Sequence, residues 1–425
     1  MHTESADTKE RLLCMRTPAV DEKPLNASAS APSLPLVVIL LGIAQIISWG
    51  SLYYSLTVLS MPIERDLGFG KLTIFGAFTL GLLVSGLIAP AVGQRIDREG
   101  GRRIMSIGSL FGSAAMLAVA LAHDPIVFTA GWIFAGVAMA ACLYDSAFAS
   151  LHQIAPDKYR RAVTGLTLLG GFASTVFWPA STILESQVGW RWTFVVFAAL
   201  HLLICLPIHL AILPRATRRS VAAPLRHEAN PHFSKNPRFV WLAAAFACTT
   251  LVFSAISAFI VMALTSRGFT LEVAVGIAAM VGPMQVLARA IEWSVARSVS
   301  AIAVGITAFA LSLASMLLLN AIPNMVLFGL AFAICYGASN GILTIARGTV
   351  PAELFGPQNQ GELLGALARP SFFTKAFAPA LFAAGLTFGL SMRAQLLILT
   401  VVSFAALACF LMATRQRSFA VPKAA

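Results

Sequence analysis

The stretch GQRIDREGGRR, Gly93–Arg103, separates two apolar runs at 72–92 and 104–122. Each run has about the length a helix needs to cross the hydrocarbon of a bilayer. Arg95, Arg98, Arg102 and Arg103 crowd into the short gap between them. A short basic loop between two apolar runs is a helical hairpin in lipid, with its turn on the cytoplasmic side. Gly93 lets two helices approach closely and Gly100 permits a tight turn. Asp97 suits either a helix N-terminus or an arginine as its partner.

Composition extends this hairpin to the whole chain. The 425 residues are 58% hydrophobic and 11% charged, against about 25% charged in soluble proteins. One water-soluble core cannot hide that much apolar surface, so the fold class is all-α integral membrane. The net charge of +12 would suit nucleic acid. The basic residues instead fill short gaps between apolar runs, so the expected partner is the lipid bilayer, with no nucleic acid. Of the six cysteines, Cys142, Cys205, Cys248, Cys335 and Cys409 lie inside apolar runs and Cys14 does not. None forms a CxxC pair, so they are small core residues, and no disulfide framework, metal or cofactor is expected.

Further apolar runs lie at 34–60, 126–152, 162–185, 192–213, 239–264, 271–292, 299–319, 324–346, 362–386 and 393–414. With the first two they make about twelve spans, six on each side of a basic stretch at 214–238. Backbone groups in lipid must be satisfied within the segment, so the runs are helices. The loops 93–103, 153–161, 214–238 and 415–425 hold 4, 3, 6 and 3 basic residues, joined by Arg297 and Arg347. The opposite side holds Arg65, Lys71, Arg191, Arg267 and Arg393. This asymmetry places both termini in the cytoplasm. The expected organisation is a disordered cytoplasmic tail at 1–33, a six-helix bundle at 34–213, a cytoplasmic linker at 214–238, a second bundle at 239–414 and a tail at 415–425. The run from Leu34 is too long and too far in to be a cleaved signal peptide.

The loop Gly93–Arg103 resembles the signature of the major facilitator superfamily, carried here by Gly93, Asp97, Arg98, Gly100, Arg102 and Arg103. GWRWTF (Gly189–Phe194) is similar to the superfamily's turn between its fifth and sixth spans. The second-half repeat of the loop motif, IEWSVAR (Ile291–Arg297), keeps neither its Gly nor its Asp. That departure implies an inside gate held asymmetrically. The resemblance implies a secondary active transporter of two rocking six-helix bundles, not an enzyme.

Within the superfamily, the chain resembles monocarboxylate transporters and their bacterial relatives, including oxalate:formate antiporters. YRRAVTGLTLLGG (Tyr159–Gly171), PMQVLARAI (Pro283–Ile291) and the stretch from YGASNG (Tyr336–Gly341) through ARGTVPAELFG (Ala346–Gly356) to Pro379 carry this likeness. It implies a basic residue in the eighth span, Arg289, with Gln285 one turn earlier, and a lysine in the eleventh, Lys375. Proton-coupled members keep an acid where Gln285 stands, and the seventh span here holds no acid. The likeness also implies location in a bacterial inner membrane.

Depth separates the two cations of ARPSFFTKAFAP (Ala368–Pro379). At about 1.5 Å per residue from Glu362, Arg369 lies about 10 Å in and Lys375 about 20 Å in. Arg369 can snorkel to the headgroups or join the inner gate. Lys375 lies near the midplane, where a cation is costly and is usually paired or functional. It is either a substrate residue or a structural partner. Arg289 suits a carboxylate because its planar fork binds two oxygens at once. Arg347, at the end of its span, is a gate or headgroup residue. Asp145 is the acid well inside a span: a proton site, or the counter-ion of Arg289 or of the basic group around Arg102. His201 and His209 are packing residues. Gln45, Trp49, Tyr53 and Tyr54 in the first span, with Tyr336 and Asn340 in the tenth, are candidate polar lining.

The second half thus holds Arg289, Lys375 and Arg369 without a deep acid to match them. The expected substrate is a small organic anion, a mono- or dicarboxylate, with a proton or counter-anion as coupling partner. The alternative is a multidrug or metabolite exporter of the same superfamily. A membrane-embedded enzyme would need a catalytic set, and no HExxH, His/Cys cluster or Ser-His-Asp grouping is present.

Overall fold

The computed structural model describes residues 32–213, 236–296, 298–321 and 325–415. The tail at 1–31, nearly all of the linker and the tail beyond Arg415 lie outside the described residues. The first half comprises α1 (Leu34–Leu67), α2 (Lys71–Glu99), α3 (Gly101–Ala120) and α4 (Pro125–Ile154). The run Pro156–Ile212 then turns at Gly189 (φ 78°, ψ 166°), which divides it into α5 (159–188) and α6 (190–212). The second half comprises α7 (Pro237–Thr265), α8 (Leu271–Val295), α9 (Ala301–Ala321), α10 (Val326–Phe355), α11 (Gln360–Thr387) and α12 (Met392–Arg415). Ten segments are long and apolar enough to cross a membrane. One of these is the double run α5–α6, and α11 is a further 28-residue helix that carries Arg369 and Lys375. The described residues therefore form twelve membrane helices.

The helices stop where the backbone can leave the right-handed region. Gly68 (φ 67°) and Gly268 (φ 93°) sit two hundred residues apart, as do Gly189 (φ 78°) and Gly389 (φ 85°). Positive φ is cheap for glycine and ends a helix cleanly. The equal spacing marks two halves built on one plan. Two boundaries differ from the apolar runs. α1 continues to Leu67, because Gly68 is the first stop signal it meets. α7 begins at Pro237, inside the stretch read as linker, because Asn236 accepts from the Arg238 amide (3.0 Å) and Pro237 needs no donor at that position.

Apolar packing follows the same division. One buried cluster runs from Phe239 to Ala413 within the second half. Two others belong to the first half, and each takes in second-half side chains: Ala368, Phe372 and Ala376 in one, Ile345 and Leu364 in the other. Helix α11 is thus packed along α2 as part of the first half's core.

Candidate functional site

The first half interrupts its helices where the second half brings its cations. Helix α1 widens into a π-turn at Gly50–Tyr54, α4 breaks at Leu143 (ψ −173°), and α5 breaks between Gly170 and Ala173. Such interruptions redirect side chains and free backbone groups, and they recur at transport sites. Here they gather an aromatic box. Trp49 packs against Tyr53 (5.4 Å between ring centres), Tyr54 (6.2 Å) and Tyr144 (5.2 Å), and Tyr54 meets Trp178 (6.1 Å).

Lys375 of α11 reaches into this box. Its Nζ lies 3.9 Å from the centre of the Tyr53 ring and 4.9 Å from that of Trp49. The ring faces carry negative charge density and attract the ammonium. No carboxylate lies within ion-pair distance of it among the described residues. Asp145 and Arg347 act on it through space. The Lys375 carbonyl accepts from Ser254 Oγ of α7 (2.9 Å), which holds α11 at this level.

Arg289 of α8 is 5% exposed and is held by main-chain carbonyls. It donates to Gly341 O of α10 (3.3 Å) and to Thr167 O of α5 (3.1 Å), next to the α5 break. Asp145 is not its counter-ion, nor that of the group around Arg102. Instead Asp145 Oδ2 pairs with Arg347 of α10 at 3.2 Å. The break in α4 sets Asp145 in the first turn of Tyr144–Ile154, where it meets Arg347 of α10.

The halves are stitched together on the face carrying the basic loops. Asp97 of α2 accepts from the amides of Gly361 (2.9 Å) and Glu362 (2.8 Å) at the start of α11. An acid there satisfies orphan amides and complements the helix dipole. Beside it, Gln94 donates to Glu362 (2.8 Å). On the other side of the seam, the Glu292 carboxylate of α8 takes Arg160 (2.8 Å) and Thr164 (2.6 Å) of α5. Arg160 also donates to Val299 O, and the Tyr159 hydroxyl donates to Gly348 O (2.7 Å). The two sides of this seam are held differently. The first half caps a main chain with Asp97, whereas the degraded second-half motif holds a side-chain pair through Glu292. On the opposite face, Trp190 donates to Asp66 (3.1 Å) and Arg191 to Ala120 and Ala122 (2.8 Å each), all within the first half.

Tyr159→Phe removes one hydrogen bond across this seam. It is expected to cost about 0.5–1.5 kcal/mol, read as a small loss of thermal stability with transport retained.

The sequence profile of the Major Facilitator Superfamily matches residues 41–372. The chain belongs to the Major Facilitator Superfamily. Among solved structures it is similar to the transporter FucP in its outward conformation, with a TM-score of 0.70, 13% identity, and 90% of this chain and 100% of that one covered. It is also similar to the human organic anion transporter MFSD10 (TETRAN), with a TM-score of 0.66, 15% identity and the same coverage. An uncharacterized 38 kDa protein of the 23S RNA operon in Thermoproteus tenax is 30% identical over 169 residues, 39% of this chain and 44% of that relative. The chain thus matches less than half the length of that relative.

Members of this superfamily are transporters of small molecules, and this one is an integral membrane protein. Lys375, Tyr53, Trp49 and Tyr54 come together in the central box. Gln285 lies half-buried on α8, its backbone against Gly341, and Asn340 is half-buried on α10. Tyr336 is 1% exposed, and its hydroxyl is already engaged by Phe253 O and Ser257 Oγ (3.1 Å each). It is a packing residue rather than an open lining residue. Arg369, like Arg98, is exposed. Gln45 is fully buried and donates to Cys142 O (2.6 Å). His201 and His209 are buried against Ser51 and Ser109 (2.8 Å each). Arg160, Thr164 and Glu292 were not singled out by sequence reasoning. The signal available was an acid in the last turn of one span facing the doubled arginine that opens another.

Proposed function

We propose that this protein is a secondary transporter of a small organic anion, a mono- or dicarboxylate, working by alternating access. The observation that carries this reading is Lys375, a cation at mid-membrane laid on Tyr53 and Trp49 with no ion-paired acid among the described residues. Trp49 Nε1 is buried without an acceptor among the described residues, so a second donor stands beside the ammonium. Arg289 likewise has main-chain oxygens and no ion-paired carboxylate among the described residues. An arriving anion supplies the missing charge and lowers the cost of closing the site around it. The likeness to monocarboxylate transporters and oxalate:formate antiporters points to the same substrate class. We place the protein in a bacterial inner membrane on the strength of the same likeness, with both termini and the 214–238 linker in the cytoplasm on the strength of the basic loops.

The test is a thermal-shift screen of the detergent-purified protein with lactate, pyruvate, oxalate, malonate, succinate, phosphate esters and lipophilic cations. One group of anions is expected to stabilise it. Lys375→Ala is expected to weaken that anion about 10- to 150-fold, the range of a charge-assisted hydrogen bond worth roughly 1.5–3 kcal/mol. Normal binding in both Lys375→Ala and Arg289→Ala would overturn the reading. A second reading, an exporter of lipophilic cations, is favoured by the box itself. Its five aromatic rings would suit a cation, with Lys375 as the tethered occupant that the substrate displaces. Stabilisation by lipophilic cations alone would select it.

A further inference from the structure

Helix α6 carries a π-turn of its own, His201–Cys205, and it faces the π-turn of α1 at Gly50–Tyr54. It is closed by the Leu206 amide, which donates to His201 O five residues back. Such turns are rare and recur at functional sites. One buried hydrogen bond joins the two. The Ser51 hydroxyl donates to Ile47 O (2.7 Å). With its proton spent there, it accepts from His201 Nε2 (2.8 Å). Both side chains are fully buried. Ser55 Oγ donates in turn to Ser51 O (2.6 Å), a carbonyl inside the α1 turn. Gly112 of α3 lies against the His201 ring and Gly50 against the Phe177 ring of α5, each too close for a Cβ.

The α1 turn decides how the rings of the box are aimed. An α-helix sets residues five apart about 140° from one another. A turn closed by i→i+5 bonds brings them toward one face. Trp49 accordingly meets both Tyr53 (5.4 Å) and Tyr54 (6.2 Å), four and five residues on. Annealing the turn to α geometry rotates the helix beyond it by about 100°, one residue's worth. Tyr53 and Tyr54 then leave the positions they hold in the box that receives Lys375.

The second half supplies an internal control. Its glycine stops repeat those of the first half two hundred residues on, so Ser51 corresponds to Leu251 of α7 and His201 to Val401 of α12. Neither side chain can make the bond. Helices α7 and α12 run through these positions as uninterrupted α-helix. Where the pair is missing, both π-turns are missing too.

We propose that His201 is a positioning residue of the transport site: through Ser51 it holds α1 in its π-turn, and so sets Tyr53 and Tyr54 in the box around Lys375. This rests on the box as the substrate site, which the anion reading and the exporter reading share, and adds the residue that shapes it.

The test places 3-fluorotyrosine in the full chain, whose five tyrosines are Tyr53, Tyr54, Tyr144, Tyr159 and Tyr336. Each fluorine resonance is assigned by its Tyr→Phe variant. His201→Leu is expected to shift the Tyr53 and Tyr54 resonances and to leave those of Tyr159 and Tyr336 in place. It is also expected to weaken whichever of lactate, oxalate and tetraphenylphosphonium stabilises the wild type by about 10-fold, the range of the cation–π contacts disturbed. Ser51→Ala should do the same, and the double variant no more than either. His201→Gln, which offers an amide N–H, should restore both readouts. His209→Leu is the control. His209 makes an equal bond to Ser109 (2.8 Å) outside both π-turns, so its loss should lower thermal stability with Tyr53 and Tyr54 unmoved. Resonances of Tyr53 and Tyr54 that stay in place in His201→Leu overturn the proposal, as does an equal shift in His209→Leu. Unchanged binding with the resonances moved overturns it as well. If His201→Leu does not fold, Ser51→Ala removes the same bond with a smaller change and decides on the same resonances. If none of the three probes stabilises the wild type, the transport-site reading fails, and the resonances, recorded without ligand, still decide whether His201 sets the turn.

Discussion

Arg160→Ala is expected to release the basic face. Glu292 is 2% exposed, and its carboxylate is held across the seam by Arg160 and Thr164. Taking away the guanidinium leaves a buried charge with one hydroxyl for company. Breaking a buried pair from one side costs about 3–5 kcal/mol, mostly the penalty of the charge left behind. Arg160 also carries a second link, to Val299 O, which is lost with it. These contacts join the two halves, so the cost falls on the closed state alone. A ligand-free equilibrium then moves toward opening by roughly a hundredfold to several thousandfold. The distance between labels on the two halves should lengthen at every pH, and thermal stability should fall. Arg160→Ala with Glu292→Ala removes the stranded charge and should recover much of both. A double variant as impaired as the single one would mean that the pair is not what holds this side of the gate.

Gly93→Val should abolish transport by the opposite route. The Gly93 Cα faces the Gly361 carbonyl of α11, and the Gly361 Cα faces the Gly93 carbonyl in return. A side chain at either position enters the other helix's backbone, which no rotamer change can clear. Overpacking costs about 1–3 kcal/mol where side chains can yield, and backbone yields less. Helix α11 must retreat from α2, and the two amides bound by Asp97 retreat with it. The closed basic face is lost as a stable state, and the cycle cannot complete. Uptake into proteoliposomes is expected to fall at least ~10-fold, with Gly361→Val equivalent. Gly76→Ala, on the same helix with open space around it, is the control and should transport normally. Wild-type rates in Gly93→Val would mean that the two helices do not need this approach.

The two variants act on the two sides of one seam, and the seam separates local from tertiary information. The crossings were legible residue by residue. Twenty apolar residues in lipid can only be helix, a glycine at positive φ ends one, and arginines in short loops mark the basic face. Each of these properties depends on a window shorter than a hairpin. The depth of Lys375 is local in the same way, since it follows from counting along α11. Which charges meet is not local. Asp145 had several cations to choose from, and it took Arg347 from the other half, 202 positions away along the chain. Glu292 and Arg160 are 132 residues apart. A pairing of that kind is decided by how α5, α8 and α10 lie across the seam, and by the breaks at Leu143 and Gly170–Ala173 that aim the side chains.

The sequence alone determined a twelve-helix membrane protein of two related halves, its basic face and a cation at mid-membrane, because length, apolarity and charge act through the nearest solvent. Only the tertiary structure decided that Lys375 rests on Tyr53 and Trp49, that Arg289 is held by carbonyls, and that Asp145 closes on Arg347. Those contacts draw on helices distant in the chain, and their energies depend on burial and partner geometry that no stretch of sequence contains.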